Sequence, residues 1–163
     1  MTHILLMRHA KSSWDNEDLS DHQRPLNARG RLASEKIALT LHAKGFSPDE
    51  IWASDSQRTT ETAKIIMRTL PGSQTVKFSD QLYHASAEKI EAEANKYQRP
   101  EGSLMILAHN PGMEALFEQL TGTYIRFPTA ACAIFKINET QTKWFHREGL
   151  TYVDFIKPKD LDI

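Results

Sequence analysis

The chain has 163 residues, of which 40% are hydrophobic and 25% charged, a composition that excludes wholesale disorder and predicts one globular domain over residues 1–163. Lysine and arginine (20) balance aspartate and glutamate (21), so the net charge of -1 excludes a large basic surface for nucleic acid. The single cysteine, Cys132, excludes an intrachain disulfide and a zinc site built from cysteines. No apolar stretch approaches the ~18 residues of a membrane span, and nothing resembles a signal peptide. We therefore expect a soluble, cytoplasmic protein with no membrane or nucleic-acid partner.

Three apolar runs predict strands that are buried on both faces. They cover Thr2–His9, Glu50–Ser54 and Leu104–His109. Apolar residues without alternation are typical of strands in a parallel sheet, which has helices on both of its faces. Thr75–Phe78 alternates between polar and apolar residues instead, which favours a position nearer the sheet edge.

Four stretches with apolar residues at helical spacing separate or follow these strands. Residues that favour helix ends flank them: Gly45 is a predicted C-cap, Ser86 is a predicted N-cap, and Pro111 opens the fourth helix. The apolar stripes run through Ala33–Leu41, Ala63–Leu70, Ala87–Tyr97 and Met113–Leu120.

After Pro128 the sequence changes to three short β segments, at Ala130–Ile137, Lys143–Arg147 and Tyr152–Ile156. The last two are predicted to form a hairpin around Glu148-Gly149. Strands that alternate with helices and are followed by a β tail predict an α/β fold. Its expected form is a three-layer α/β/α sandwich with a mostly parallel central sheet and antiparallel strands at one edge.

Two arginines and two histidines are predicted to meet at one edge of this sheet, because ligands bind at the carboxyl ends of parallel strands. Arg8 and His9 end the first strand, and His109 ends the later one. Arg58 lies in the first turn of the helix that follows Glu50–Ser54. Arginine offers a rigid fork of donors to phosphate oxygens, and histidine can attack phosphorus or donate a proton near neutral pH. The combination predicts a phosphoryl site that needs neither a metal nor a cofactor.

The polar stretch Ser12–Asn27 is too long for an idle connection and is predicted to be a functional loop. Lys11, Ser12 and Arg24 are candidate phosphate ligands in or beside it, although cations in loops are often only solvated. His84 follows the edge strand, near the expected mouth of the pocket. The sequence does not single out a proton donor for the leaving group; the candidates are Asp15, Asp18, Asp80 and Glu88.

Three motifs in the predicted site resemble those of the histidine phosphatase (phosphoglycerate mutase-like) superfamily. Arg8-His9-Ala10 resembles the Arg-His-Gly signature of that family. Ser54–Ala63 resembles its second motif, Ser-Pro-Leu-x-Arg-Ala-x-x-Thr-Ala, and Ala108–Gly112 resembles the third, Gly-His-Asn-Pro-Gly. Arg8–Trp14, together with Asp21–Leu26, is similar to the compact SixA-type phosphohistidine phosphatases in particular. This chain departs from the family pattern at Ala10, Ala108 and Asp55-Ser56, where the family has glycine, glycine and Pro-Leu.

The resemblance implies a phosphoglycerate mutase-like fold and a metal-independent phosphatase. His9 would be the nucleophile and would form a phosphohistidine enzyme. Arg8, Arg58 and His109 would hold the phosphate oxygens. The implied substrate is phosphohistidine on a protein of the histidine-phosphotransfer type. Two alternatives stay open, namely a phosphatase for small phosphorylated metabolites such as sugar phosphates, and a non-catalytic module that binds phosphorylated ligands.

The spacing between Arg58 and His109, which is 51 positions, bears on how the site is covered. A helix, the edge strand and the helix at Ser86–Tyr97 use most of these positions and leave little chain for a lid. We therefore expect an open, shallow site, which suits a phosphohistidine displayed on a protein better than a small ligand that must be enclosed.

Overall fold

A computed structural model describes residues 2–98, 100–138 and 143–161. The strands are β1 (His3–Arg8), β2 (Glu50–Ser54), β3 (Thr75–Ser79), β4 (Leu104–Ala108), β5 (Cys132–Ile137) and β6 (Leu150–Ile156). The α-helices are α1 (Ala28–Ala43), α2 (Gln57–Thr69), α3 (Ala87–Asn95) and α4 (Gly112–Thr121). Short 3-10 helices lie at Asp21–Gln23, Asp80–Leu82, Arg147–Gly149 and Pro158–Asp160. Within the described ranges, no helix is long and apolar enough to cross a membrane.

The six strands form one mixed sheet in the order β3-β2-β4-β1-β5-β6. Neighbours among β1, β2, β3 and β4 are parallel, whereas β5 runs antiparallel to β1 and β6 antiparallel to β5. The predicted parallel sheet with an antiparallel edge is therefore confirmed. The alternating strand, β3, lies at the opposite edge, where the sequence pattern placed it.

Side chains of β1 alternate between two separate cores. Ile4 and Leu6 pack into the core beneath α3 and α4, whereas Leu5 and Met7 pack into the core beneath α1 and α2. All four side chains are fully buried, because the sheet is covered by helices on both faces. The result is the predicted three-layer α/β/α sandwich.

The predicted caps set the ends of the helices. The Ser86 hydroxyl accepts a hydrogen bond from the Lys89 N–H and so begins α3. Gly45 follows the end of α1 with a φ of 82°, a left-handed conformation that glycine adopts without a steric penalty. Gly112 begins α4 in direct contact with the Ala85 carbonyl, so a side chain there would collide with the backbone beside His84.

The predicted hairpin of Lys143–Arg147 with Tyr152–Ile156 is wrong. Within the described residues, Lys143–Arg147 contains no strand, and β6 pairs with β5 instead. Trp144 and Phe145 give this segment its apolar pattern, because both side chains are buried in the core beneath α3 and α4. The apolar residues of this segment therefore indicate core packing and not a strand.

Candidate active site

His9 lies directly after β1 and is only 6% exposed. Its N–H donates to the Ala108 carbonyl at 3.1 Å, which fixes the backbone against the end of β4. Its Nδ1 lies 2.7 Å from the Ala10 carbonyl oxygen. A carbonyl oxygen can only accept, so Nδ1 carries the hydrogen of the neutral ring, and the lone pair is on Nε2. Nε2 therefore presents a nucleophilic lone pair to the centre of the site.

Burial keeps His9 neutral. Burial is the largest cause that lowers the pKa of His9, and the nearby Arg58, Arg8 and Arg24 lower it further. The hydrogen bond to the Ala10 carbonyl opposes this effect, but the pKa still falls to about 3. The imidazole is therefore unprotonated across the neutral range, as a nucleophile requires.

Arg58 lies in the first turn of α2 and is only 4% exposed. Its Nε donates to Nε2 of His9 at 3.4 Å, and its Nη2 lies 3.4 Å from Nδ1 of His109. The Thr62 hydroxyl fixes this arrangement, because it accepts from the Ala10 N–H at 3.1 Å and donates to the Arg58 carbonyl at 2.8 Å. One arginine thus contacts the two histidines that end neighbouring parallel strands.

His109 is 1% exposed, directly after β4, and its ring centroid lies 5.1 Å from that of His9. Its Nε2 is 2.8 Å from the Ser54 hydroxyl at the end of β2. Because Arg58 can only donate, Nδ1 of His109 accepts and Nε2 donates to Ser54. Burial, followed by the proximity of the second imidazole, His9, and the charge of Arg58, lowers the pKa of His109. Without an anion present, both imidazoles are therefore neutral.

Arg8 completes the positive lining of the site. Its Nη1 donates to the Phe127 carbonyl at 3.1 Å, and burial lowers its pKa. Its Nε is buried with no hydrogen-bond partner in the described part of the chain. A buried donor without a partner is costly, and an anion at this position would supply the missing acceptor.

Asp21 contacts the residues of the site, although sequence reasoning assigned it no role there. Its Oδ2 accepts from Nη2 of Arg58 at 3.0 Å and from the Tyr83 hydroxyl at 2.5 Å. Its Oδ1 accepts from Nη1 of Arg24 at 3.0 Å, and its backbone carbonyl accepts from Nη1 of Arg58 at 2.7 Å. The long loop thus folds back and inserts a carboxylate between the two arginines.

The Asp21 carboxylate is held in its charged form. Burial opposes ionisation, but the hydrogen bonds from Tyr83, Arg58 and Arg24 outweigh burial and lower the pKa of Asp21 well below its usual range. The sequence offered only a weak signal for this residue, which is that Asp21 lies three positions before Arg24 in a polar loop. Nothing in that spacing predicts that the loop returns to Arg58.

The structure brings three of the four weaker candidates to the site and places the fourth beside it. Arg24 is buried and donates to the Ser12 hydroxyl at 2.5 Å, so Ser12 positions the arginine. Nε2 of His84 lies 3.3 Å from Nη2 of Arg58 and 3.1 Å from Oδ2 of Asp21. The Lys11 side chain is exposed and lines a neighbouring cleft.

None of the carboxylates considered as proton donors hydrogen-bonds to the described histidines or arginines of the centre. All four are exposed, namely Asp15, Asp18, Asp80 and Glu88. Between Arg58 and β4, the described chain forms the rest of α2, then β3, a 3-10 helix and α3. The described part of this segment contains no additional helix to cover the site, as the spacing predicted.

Comparisons with known proteins agree with this arrangement. The model of the histidine phosphatase superfamily (branch 1) matches residues 4–98. An uncharacterized chloroplastic protein of Arabidopsis thaliana is 33% identical over 142 residues, which cover 82% of this chain and 65% of that protein. This chain therefore matches slightly less than two-thirds of that relative's length.

Two solved structures share the fold over nearly their whole length. A SixA protein of Agrobacterium tumefaciens has a TM-score of 0.81 and 27% identity, and the match covers 96% of this chain and 98% of that one. The protein histidine phosphatase SixA complexed with tungstate has a TM-score of 0.82 and 20% identity, over 99% of this chain and 100% of that one. Because the family match covers more than half of the residues and includes the first two motifs, the chain belongs to the histidine phosphatase superfamily.

Proposed function

We propose that the chain is a metal-independent phosphatase that removes the phosphoryl group from phosphohistidine on a protein, through a phosphohistidine intermediate at His9. The family membership supports phosphatase chemistry. The neutral His9 between Arg58 and Arg8 supports His9 as the nucleophile. The tungstate in the related SixA structure is a tetrahedral oxyanion, as phosphate is, which supports an oxyanion site in this fold.

In the first step, the Nε2 lone pair of His9 attacks phosphorus in line with the leaving group. A bond forms between Nε2 and phosphorus, and the bond from phosphorus to the substrate nitrogen breaks with its electron pair on that nitrogen. Arg8 and Arg58 donate hydrogen bonds to the equatorial oxygens and hold their negative charge in the transition state. His109 joins them as a donor once the bound anion has favoured protonation of Nδ1.

In the second step, water attacks phosphorus and the bond to Nε2 of His9 breaks. The electron pair returns to Nε2, and the protons of the attacking water remain on inorganic phosphate and solvent. The hydrogen on Nδ1 of His9 remains there throughout and donates to the Ala10 carbonyl. This hydrogen bond keeps the ring in the same orientation in both steps.

One observation carries the choice of substrate, which is that the carboxylate beside Arg58 is held ionised. A sugar phosphate must expel an alkoxide unless an acid protonates the leaving oxygen, and an ionised Asp21 cannot donate that proton. A phosphohistidine that is protonated on its second ring nitrogen leaves as neutral imidazole and needs no acid from the enzyme. In the state without a bound anion, the ionised Asp21 therefore supports phosphohistidine as the substrate.

A phosphatase for small metabolites such as sugar phosphates is the second candidate. The presence of a carboxylate at the centre favours this candidate. If a substrate displaced the hydrogen bonds from Tyr83 and Arg24, Asp21 would be in place to donate a proton to the leaving group. The non-catalytic binding module has less support, because the nucleophile His9 and its partners Arg8, Arg58 and His109 are all intact.

We expect higher kcat/KM on a phosphorylated histidine-containing phosphotransfer domain than on any member of a sugar phosphate panel. A protein substrate adds contacts outside the phosphate site, and we expect these contacts to be worth at least about tenfold. The measurement is phosphate release under matched conditions, with phosphoserine peptide as a further comparison. Equal or better efficiency on any sugar phosphate would overturn the preference for phosphohistidine.

Replacement of His9 by alanine should remove the nucleophile and lower kcat by at least about a thousandfold, with the fold intact. The wild-type enzyme, quenched during turnover of a substrate with labelled phosphorus, should carry an acid-labile label that H9A lacks. His42→Ala, at an exposed histidine in α1, is the matched control and should behave as wild type. H9A activity within tenfold of wild type would rule out the covalent mechanism.

Turnover should not require a divalent metal. Arg8 and Arg58 supply the positive charge that a metal ion provides in other phosphoryl-transfer sites. Among the described residues, no group of three or more histidine, cysteine, aspartate or glutamate side chains is placed to hold a metal. Dialysis against EDTA should leave kcat/KM within about twofold of its starting value. A loss of activity that one specific metal restores would contradict this expectation.

Asp21→Asn should strengthen the binding of inorganic phosphate. The substitution keeps the shape of the side chain but removes a negative charge beside the phosphate site, which should lower the inhibition constant of phosphate about fivefold to tenfold. Asp18→Asn, at an exposed position of the same loop, is the matched control. Weaker phosphate binding in D21N would show that Asp21 acts mainly by holding Arg58. A fall of about a hundredfold in kcat would instead identify Asp21 as a proton donor.

A further inference from the structure

A large cleft lies beside the catalytic centre and not within it. It is a cleft of about 860 Å³, bounded by α1, the start of α4, the segment before β5 and the last 3-10 helix. Arg8 lines this cleft and its charge also acts on the neighbouring His9, whereas His9, Arg58 and His109 do not line the cleft. We call it the Arg8 cleft. Because Arg8 directly precedes His9 in the chain, the cleft lies next to the candidate phosphate site.

The Arg8 cleft carries a concentration of positive charge in a chain with a net charge of only -1. Its single carboxylate, Glu114, already accepts hydrogen bonds from the Tyr124 hydroxyl at 2.5 Å and from the Phe127 N–H at 3.0 Å. None of the lining cations forms an ion pair with a residue that the structure describes. The cations are Arg8, Lys11, Arg29, Arg126, Lys157 and Lys159.

Apolar side chains line the cleft together with the cations. Leu32, Phe127, Pro128, Pro158 and Leu161 contribute to the lining. Leu32 is 42% exposed, although leucine normally packs inside a protein of this kind. A cleft with both basic and apolar side chains suits a peptide segment whose carboxylates meet the cations and whose aliphatic parts meet the lining.

The cations of the cleft differ physically from those that face His9. Arg58 and Arg24 are 4% and 7% exposed and are fixed by several hydrogen bonds each, which suits one phosphate group in one geometry. Lys11, Arg126 and Lys159 are exposed, and their side chains make no hydrogen bond to another residue within the described ranges. Exposed cations on long side chains suit several carboxylates spread along a chain better than a second compact phosphate.

We propose that the Arg8 cleft binds an acidic segment of the substrate protein, close to the phosphohistidine that enters the centre. This inference rests on the proposed function and adds to it the chemistry of the substrate's flank. The phosphoryl group binds between His9 and Arg8, and the neighbouring acidic residues pass Arg8 into the cleft. Docking of this kind contributes remote binding energy, which raises kcat/KM without any change at phosphorus.

The test compares peptides of equal length that are phosphorylated on one histidine. The first peptide carries a run of glutamates on the amino side of that histidine, and the second carries the run on the carboxyl side. The third peptide has glutamine in place of each glutamate. We expect the better glutamate peptide to exceed the glutamine peptide about tenfold in kcat/KM at low salt. High salt should bring this ratio towards one, because the cations are exposed and screened.

Charge reversal in the Arg8 cleft tests whether the preference for the glutamate peptide depends on the cations of this cleft. Arg126→Glu combined with Lys159→Glu should reduce the ratio between the glutamate and glutamine peptides to below about threefold. The matched control reverses one lysine and one arginine on α2, Lys64→Glu with Arg68→Glu, which are exposed and do not line the cleft. The control should keep the wild-type ratio. The salt dependence of the wild-type enzyme needs no variant, so the test holds even if a charge reversal prevents folding.

Three results would overturn the inference, and they are distinguishable from one another. Efficient hydrolysis of all three peptides at one rate would overturn the acidic flank and leave the proposed function standing. A sugar bisphosphate that exceeds both its monophosphate and the glutamate peptides would assign the cleft to a second phosphate. Hydrolysis of no phosphohistidine peptide, together with turnover of sugar phosphates, would overturn the proposed function and the inference with it.

Discussion

The buried guanidinium of Arg58 is the group on which the rest of the site depends. A charge that is only 4% exposed is stable only if its donors find acceptors. Those acceptors come from separate parts of the chain, because Arg58 contacts His9 after β1, His109 after β4 and both the carbonyl and the carboxylate of Asp21. The hydrogen bonds of one buried guanidinium therefore hold the long polar loop and two strand ends together at the site.

The same burial sets the protonation of the two imidazoles. His9 and His109 both lose their protons more readily than free histidine, first because they are desolvated and then because positive charges surround them. Asp21, which is paired with Arg58, limits the effect at His109, because its negative charge raises the pKa of that imidazole. The site thus combines neutral imidazoles with cationic donors, two properties that would conflict in a single histidine exposed to water.

The sequence predicted the features that depend on hydrophobic periodicity and on where strands end. It did not predict the features that depend on packing between segments distant in the chain. The sequence predicted which four residues lie at one edge of the sheet, because parallel strands end at a common edge. They are Arg8, His9, Arg58 and His109. Lys143–Arg147 could not be assigned correctly, because buried Trp144 and Phe145 imitate a strand pattern. Asp21 could not be identified as a partner of Arg58, because the path of a polar loop is set by hydrogen bonds to residues 37 and 62 positions away.

The central position of β1 has a consequence for how the protein acquires its activity. The first strand of the chain pairs with β4, whose Leu104 lies opposite Ile4, and with β5, whose Lys136 lies opposite His3. Both partners emerge from the ribosome long after β1 itself, and contacts of such sequence separation form late and slowly. His9 therefore gains its neighbours only when most of the chain has been synthesised and folded, so a nascent or truncated chain carries His9 without the surroundings that lower its pKa.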